Sequence, residues 1–456
     1  MAAKTPLELP GFYWDEDRQR YFPITARARQ PHGWQPGGPT ATASGLSTQQ
    51  RSVSSLVKDD ERVRTTRPAK KRPLNRTVSQ YPPHIPETYA GRERAKHYLL
   101  SENIASVSKG GFLHAIDFPC SSFHVSPTDG DDVVLTTGDS SGSLQTTHIN
   151  PHTFVRSSST RELYLSSSIT ALCYSDTVRL AVSFGPSPKI AVENSGRDAD
   201  LWTIMSFPRH QCYDIRAADL SRHSLALGAA TRGVLVPDIE TSWTETLHTG
   251  SDVFAICQKD HLVYTGSRNG SLKAFDKRRL DTTGKGQELF GERFKKDTRS
   301  ITHLSMLDDW QMLVSTIRGD IELHDLRFAR EDTPFMEFKG HVNSYSTKLG
   351  IAISPCQSLL FAAGQDSRIR AWSLRSGQPL SPSPALSERE TSREHLDTSN
   401  LLACTFPQPV VALQVTDDRS TGLRSMERPS GMTLWAASGN DIYRYGLGWQ
   451  IDLHAG

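Results

Sequence analysis

Apolar and polar positions repeat along the chain in a recurring pattern from about Gly111 onward. The pattern is clearest at 359–374, where the apolar run LLFAAG is followed by a polar turn and then by the alternating run IRAWSL. Alternation with a period of two predicts a half-buried β-strand, and the short polar turn predicts a hairpin. Six further segments share the pattern: VVLTTGDSSGSLQTTHIN, RLAVSFGPSPKIAVEN, LALGAATRGVLVPDIE, LVYTGSRNGSLKAFDKR, MLVSTIRGDIELHDLR and TLWAASGNDIYRYGL.

The seven segments have the spacing of propeller blades. One apolar position in each segment marks the register: Leu144, Ile190, Val234, Leu272, Ile321, Ile369 and Ile442. Successive positions are 46, 44, 38, 49, 48 and 73 residues apart, and polar insertions at 376–400 and 416–431 lengthen the last interval. Another apolar run precedes each segment, the first being FLHAIDF at 112–118. This period predicts an all-β, seven-bladed β-propeller over residues 111–456.

Residues 1–90 have a different composition. They contain 13 Leu, Ile, Val or Phe residues among many Pro, Ser, Thr and Arg, which is too little apolar area to offset the entropy of ordering. We therefore expect a mostly disordered segment. It is basic, because residues 1–110 carry 18 Lys and Arg against 10 Asp and Glu, whereas the whole chain has a net charge of +2.

Two stretches near the N-terminus depart from this composition. In the segment 9–22, five aromatic residues flank a charged turn: Phe12, Tyr13, Trp14, Tyr21 and Phe22. This arrangement predicts either a short β-hairpin or an aromatic docking peptide. Residues 87–108 are polar and rich in good helix formers, and they predict a helix.

Composition excludes several classes of protein. The 456 residues contain no run of 18 apolar residues, so we expect no transmembrane helix. The first residues lack the apolar core of a secretory signal, and the six cysteines form no CxxC pair. We therefore expect reduced, buried thiols in an intracellular protein, located in the nucleus, the cytoplasm or both.

Motifs of catalysis or nucleic-acid binding are weak. The sequence GDSSG at 138–142 matches GxSxG, but it lies between two predicted strands and therefore predicts a turn. P-loop, GxGxxG and HExxH patterns are absent from the sequence. We predict a protein that is not an enzyme and binds no cofactor, metal or small molecule. The basic run RPAKKRP at 67–73 fits a solvated linker or a nuclear import signal; direct nucleic-acid binding is not expected, because residues 111–456 are acidic overall.

The most specific signal lies at the ends of three consecutive repeats. FDKR, HDLR and WSLR each end in an arginine, two positions after an aspartate in the first two copies and after Ser373 in the third. The residues concerned are Asp276, Arg278, Asp325, Arg327, Trp372 and Arg375. Equivalent positions of neighbouring blades lie side by side, so we predict an arc of three arginines on one face. Arginine suits partner binding, but an arginine at this position can instead cap its own strand turn or pair with a neighbouring acid.

The repeats resemble WD repeats. Gly340-His341 followed by Trp372-Ser373 is the most similar copy, and Asp366 stands at the place of the family's turn aspartate. The resemblance implies that His341, Asp366 and Trp372 stabilise their blade. Other copies have FD, HD or PD in place of the Trp-Asp pair.

The three arginines resemble the WDxR motif of WD-repeat substrate receptors of the cullin-4 RING ubiquitin ligases. In that family the arginine helps to dock the propeller onto the ligase's DNA-damage-binding adaptor, which assigns this role to Arg278, Arg327 and Arg375. The segment LPGFYWD…RYF is similar to the opening of receptors of the cullin-4-associated factor 4 type, in which a helical stretch and a propeller follow. In related receptors an N-terminal helical element enters the adaptor's cleft, and the predicted helix is the candidate for it.

These observations predict a non-catalytic receptor that binds the cullin-4 ligase adaptor and presents an unidentified protein substrate. The alternative is a general WD-repeat scaffold in a chromatin or RNA-processing complex, because propellers carry unrelated functions.

Overall fold

The fold is described from a computed structural model, which covers residues 12–15, 20–23 and 89–448. The gaps inside the last range are 128–132, 150–155, 176, 195–200, 242, 280–283, 292, 297–298, 330–332, 382–398 and 418–430. Most of the segment 1–90, including the basic run at 67–73, lies outside the described residues. The chain divides into two units, residues 1–77 and 78–456.

The first unit contains a β-hairpin, one of the two alternatives that the sequence predicts. Strands β1 (Phe12–Asp15) and β2 (Arg20–Pro23) pair in antiparallel register, with Tyr13 opposite Phe22 and Trp14 opposite Tyr21. Two of the four backbone pairs of this hairpin therefore join aromatic residues.

The second unit is a seven-bladed β-propeller, which confirms the predicted fold class. Each of the first six blades is an antiparallel sheet of four strands in chain order. Blade 1 contains β4 (Cys120–Pro127), β5 (Val133–Asp139), β6 (Ser143–Ile149) and β7 (Arg156–Tyr164). Blade 2 contains β8 (Ile169–Tyr174), β9 (Val178–Ser183), β10 (Lys189–Asn194) and β11 (Trp202–Ser206). Blade 3 contains β12 (Ala217–Ser221), β13 (Ser224–Gly228), β14 (Gly233–Val236) and β15 (Glu245–Leu247).

The remaining blades carry the candidate site residues. Blade 4 contains β16 (Val253–Lys259), β17 (Leu262–Ser267), β18 (Leu272–Asp276) and β19 (Gln287–Glu288). Blade 5 contains β20 (Ile301–Met306), β21 (Gln311–Thr316), β22 (Ile321–Asp325), a 3-10 turn (Leu326–Phe328) and β23 (Met336–Glu337). Blade 6 contains β24 (Ile351–Ile353), β25 (Leu359–Ala363), β26 (Ile369–Ser373) and β27 (Pro379–Leu380).

Blade 7 closes the ring with strands from both ends of the propeller. It contains β29 (Val410–Asp417), β30 (Met432–Ser438), β31 (Asp441–Leu447) and β3 (Lys109–Ala115), and a short strand, β28 (Ser399–Asn400), pairs with β3. The run FLHAIDF, which precedes the first segment, therefore does not form the first strand of blade 1. That run belongs to the outermost full strand of blade 7, because its ladder partner is β31.

The predicted repeat register is confirmed by burial. The seven marker positions lie on the third strand of each blade and are at most 2% exposed. They pack between neighbouring sheets, where apolar side chains from adjacent blades meet. The register was recognisable because a one-residue slip would turn each buried side chain to the opposite face of its sheet.

Helix α1 (Tyr89–Val107) leads directly into β3 and falls within the predicted span 87–108. Ile104 is fully buried in the apolar cluster that blades 6 and 7 share, together with Leu359, Leu401 and Tyr445. Among the residues that the structure describes, no helix is long and apolar enough to cross a membrane.

Candidate functional site

Two of the predicted arginines are held by the aspartate of their own repeat. Arg278 donates from Nε to Asp276 Oδ1 at 3.1 Å and from Nη2 to Asp276 Oδ2 at 3.0 Å. Arg327 makes the same pair of bonds to Asp325, at 2.9 Å from Nε and 2.5 Å from Nη2. In both repeats the backbone N–H of the arginine also donates to the aspartate at 3.0 Å. The ion pair within each repeat is therefore present in these two copies.

The aspartates fix the arginine side chains without burying them. Hydrogen bonds from Arg278 lower the pKa of Asp276 to about 2, and those from Arg327 likewise lower the pKa of Asp325. The Arg278 and Arg327 side chains remain 65% and 58% exposed. Each carboxylate takes two N–H groups of a fork that carries five, so the others still face solvent. Holding the guanidinium in place reduces the entropy that a binding partner would have to overcome.

The three arginine repeats are structurally equivalent. In each, the residue before the arginine donates its backbone N–H to a carbonyl in the turn between the first two strands of its blade. These bonds are Lys277 to His261 at 2.8 Å, Leu326 to Trp310 at 2.7 Å and Leu374 to Ser358 at 2.9 Å. The arginines therefore follow the third strands of blades 4, 5 and 6 at the same face of the propeller. We call this the arginine face.

The third copy differs because Ser373 replaces the aspartate. Ser373 is buried, and its Oγ lies 2.7 Å from Nε2 of His97 on helix α1. Arg375 is exposed and lines a cavity of about 890 Å³ between α1 and strands β26 and β27. Burial and the positive charge of Arg375 both lower the pKa of His97. The third arginine thus lies at a junction between the helix and blade 6.

Hydrogen bonds anchor the C-terminal half of the helix to blade 7. Asn103 Nδ2 donates to the Gly448 carbonyl at 2.9 Å, and Asn400 Nδ2 donates to the Ala105 carbonyl at 3.2 Å. Nearer the middle of the helix, before these anchored residues, Tyr98 and Leu99 are 64% and 42% exposed. The helix therefore presents an exposed apolar pair on a rigid support beside Arg375.

Exposed aromatic residues flank Arg327, and no pattern in the sequence predicts them. Trp310, Phe328 and Phe335 are each more than half exposed. All three lie in connections at the arginine face: the β20–β21 turn, the 3-10 turn and the residue before β23. Aromatic and arginine side chains are enriched at the centres of protein interfaces. A single exposed tryptophan in a polar turn carries no periodic signal, so only the fold identifies this cluster.

The three blade-stabilising residues have separate partners. Trp372 is fully buried and donates from Nε1 to the Lys339 carbonyl at 2.9 Å. Nε2 of His341 lies 2.9 Å from the Ala363 carbonyl. Asp366 instead accepts from Arg370 at 2.9 and 2.6 Å, and this ion pair spans the turn between β25 and β26. Trp372 and His341 thus tie the connection that precedes blade 6 to its strands, whereas Asp366 stabilises a turn.

The GDSSG segment forms the predicted turn. Asp139 Oδ1 accepts hydrogen bonds from the backbone N–H groups of Ser141, Gly142 and Ser143, each at 2.9 Å. The segment joins β5 to β6 and does not lead into a helix. It therefore lacks the strand-to-helix geometry that places a nucleophilic serine in the hydrolases with this motif.

Comparison with known proteins supports this description. Residues 195–409 match the model of the DDB1- and CUL4-associated factor 4 β-propeller domain. The human DDB1- and CUL4-associated factor 4-like protein 2 is 31% identical over 166 residues, which are 36% of this chain and 40% of that protein. The resemblance to cullin-4-associated factor 4 is confirmed. Human factor 4 itself is 33% identical over 162 residues, which cover 34% of this chain and 31% of the relative.

The region matched to factor 4 contains the three arginines and the exposed aromatic residues beside Arg327. The chain spans about 30 to 40% of the length of these factor 4 relatives. Among solved structures, the WD40 β-propeller domain of Doa1 superposes with a TM-score of 0.51 at 13% identity, covering 75% of this chain and 99% of that one. This similarity concerns the propeller fold alone.

Proposed function

We propose that this protein is a non-catalytic substrate receptor of a cullin-4 RING ubiquitin ligase. It docks on the ligase's DNA-damage-binding adaptor and holds a protein substrate near the ubiquitin-loaded enzyme. The observation that carries the proposal is the pair of exposed arginines, each held by its own aspartate, within the region that matches the factor 4 propeller. The same proposal places the protein in the nucleus, the cytoplasm or both.

Docking uses the arginine face and the exposed half of helix α1. Arg278 and Arg327 supply preoriented N–H donors for acceptors on the adaptor, and Trp310 and Phe328 supply apolar area around them. Arg375 connects this surface to the helix, where Tyr98 and Leu99 extend it. The receptor then acts by raising the local concentration of the substrate, which requires no chemistry from this chain.

Replacing Arg278, Arg327 and Arg375 together with alanine is expected to weaken adaptor binding about 30-fold or more, the effect typical of losing interface hot spots. The measurement is titration calorimetry of the purified chain with the purified adaptor, after both variants have been shown to be folded. A matched control replaces three exposed arginines away from this face: Arg161, Arg209 and Arg268. We expect the control to bind as the wild type does.

The outcomes separate the two parts of the proposal. Equal adaptor affinity of the wild type and the triple variant would move the interface to the helix, where Tyr98→Ala with Leu99→Ala tests it. If the wild-type chain does not bind the adaptor, the ligase function is wrong, and the protein is better described as a scaffold in another assembly.

The aspartates are positioning residues for the same contact. Asp276→Asn with Asp325→Asn is expected to weaken adaptor binding about 3- to 10-fold, because a neutral amide holds a guanidinium less firmly than a carboxylate does. Calorimetry should show a more unfavourable binding entropy, as both arginines become mobile in the free protein. An unchanged affinity would mean that the carboxylates serve only their own turns.

A further inference from the structure

The innermost strands of the propeller enclose a second, distinct site. A cavity of about 410 Å³ lies in the central channel, and all seven blades contribute to its wall. Its lining residues lie in or just before the first strands of the blades, except Phe184, which follows the second strand of blade 2. Within a blade the first and third strands run parallel, because each pairs antiparallel with the second. The arginine face lies where the third strands end, so the cavity opens towards the opposite face.

Two cationic side chains line this cavity. Lys348 precedes blade 6, and its Nζ donates to the carbonyl of Thr170 in blade 2 at 2.7 Å, so the side chain reaches across the channel. Arg216 precedes blade 3, and its guanidinium carbon lies 5.4 Å from the ring centre of Phe184 and 5.3 Å from that of Phe254. Thr170 and Phe184 both belong to blade 2 and its connections, so each cation contacts this blade.

No opposing charge is present in the cavity. None of the described residues that line it is an aspartate or a glutamate. His303 adds no charge, since burial lowers its pKa to about 4 and leaves it neutral. Desolvation by the channel walls lowers the pKa of Lys348 to about 8, although the residue remains accessible to solvent, so most of this amine is still charged at pH 7. The buried Nε of Arg216 has no hydrogen-bond partner among the described residues.

A half-buried arginine and a solvent-accessible lysine that line one cavity, with no carboxylate among its described lining residues, favour the binding of an anion. Aromatic contacts orient the Arg216 guanidinium and leave its in-plane N–H groups for an acceptor. The hydroxyl group of Thr347 on the cavity wall offers a further hydrogen bond. The positive charge is confined to one cavity instead of forming a stripe, which suits a single anionic group and not a nucleic-acid backbone.

We propose that the channel binds one anionic side chain of an extended peptide, a carboxylate or a phosphate, through Arg216 and Lys348. The inference rests on the proposed receptor function, for which it supplies the class of substrate: a protein with an acidic or phosphorylated segment. Substrate and adaptor then occupy opposite faces of the propeller and bind without competing.

The test uses peptide libraries in which one position is fixed as phosphoserine, glutamate or serine and the flanking positions are randomised. The immobilised full chain is expected to retain phosphoserine or glutamate peptides at least about tenfold over serine peptides, and to lose this preference in 1 M salt. Stronger retention of the phosphoserine set would identify the ligand group as a phosphate, and stronger retention of the glutamate set would identify it as a carboxylate. Equal retention of the serine set, or stronger binding of single-stranded DNA of matched charge, would overturn the proposal.

Variants identify the residues and control for folding. Arg216→Gln with Lys348→Gln is expected to abolish the preference for anionic peptides. Arg216→Lys with Lys348→Arg keeps both charges and should retain most of it. The matched control, Arg161→Gln with Lys285→Gln, removes two exposed charges elsewhere and should behave as the wild type does.

Adaptor binding, measured on the same samples, separates this inference from the proposed function. The Arg216 and Lys348 variants are expected to bind the adaptor with wild-type affinity. If the wild type binds the adaptor but shows no anionic preference, only the channel site is wrong. If it shows the anionic preference without adaptor binding, the ligase function is wrong and the channel site stands.

Discussion

Gly110→Ala is expected to destabilise the propeller by about 3 kcal/mol and to release β3 from β31, because it introduces an overpacked contact that cannot relax. A Cβ atom at Gly110 would lie 2.1 Å from the carbonyl oxygen of Arg444 and 2.7 Å from Cα of Tyr445. Both are backbone atoms of the strand to which β3 is hydrogen-bonded. Guanidinium chloride denaturation measures the free energy of unfolding, and hydrogen exchange of the β3 amides reports the release.

Phe112→Ala provides the control on the same strand. Phe112 is 51% exposed, and its ring centre lies 6.2 Å from that of Tyr443 in an edge contact. Removing the ring should therefore lower the free energy of unfolding by less than about 1 kcal/mol. Gly110→Ala could instead unfold at the same denaturant concentration as the wild type, with unchanged hydrogen exchange of the β3 amides. That result would mean that this strand does not close the ring.

Glu322→Ala is expected to lower the free energy of unfolding by about 3 to 4 kcal/mol, the usual cost of removing one member of a buried ion pair. Glu322 lies in β22 and accepts from Arg293 at 2.8 and 2.7 Å, and Nε2 of the buried His324 lies 2.9 Å from it. The substitution leaves the half-buried Arg293 without its main carboxylate. Denaturant unfolding at pH 7 measures the effect.

The pH dependence of this cluster follows from the pKa of Glu322. Burial alone would raise that pKa, but the hydrogen bonds from His324 and Arg293 lower it to about 2, from an ordinary value of 4.5. The carboxylate therefore stabilises the fold fully above pH 4.5, and this contribution is lost as the pH falls towards 2. The wild type should lose stability over this range, whereas Glu322→Ala should lose less.

Glu337→Ala serves as the control for the same arginine. Glu337 is 47% exposed and lies 3.7 Å from Arg293, so its removal should change stability by less than about 1 kcal/mol. Comparable effects of the two substitutions would contradict the assignment of the stabilising role to Glu322.

Sequence periodicity predicted the blades because apolar positions had to remain on one face of each sheet. Ile190 and Ile369 mark the same strand in different blades for this reason, and both are buried. The same reasoning could not predict which part of the chain supplies the strand that closes the ring. The run FLHA has the pattern of a half-buried strand, but alternation does not reveal whether its partner is the next strand or one at the far end of the chain.

The candidate site was predictable only where it depends on local spacing. Asp276 and Arg278 are two residues apart, and pairing of the arginine with a neighbouring acid was one of the stated alternatives. The contact of His97 with Ser373 joins residues 276 positions apart, and no motif announces it. Arg216 and Lys348 are likewise not marked by any motif, because each is an isolated basic residue before an inner strand.

The pairing of β3 with β31 also sets the order in which the protein can be completed. Gly110 and Tyr445 are ladder partners more than 300 positions apart in the chain. At about 5 to 20 residues per second, a ribosome needs roughly 15 to 70 seconds between the synthesis of these two strands. During that time β31 is not available to pair with β3, and the edge of β3 that β31 covers is exposed to other chains. We expect nascent chains to be vulnerable to aggregation until blade 7 emerges, so chaperone capacity should limit the yield of this protein in cells.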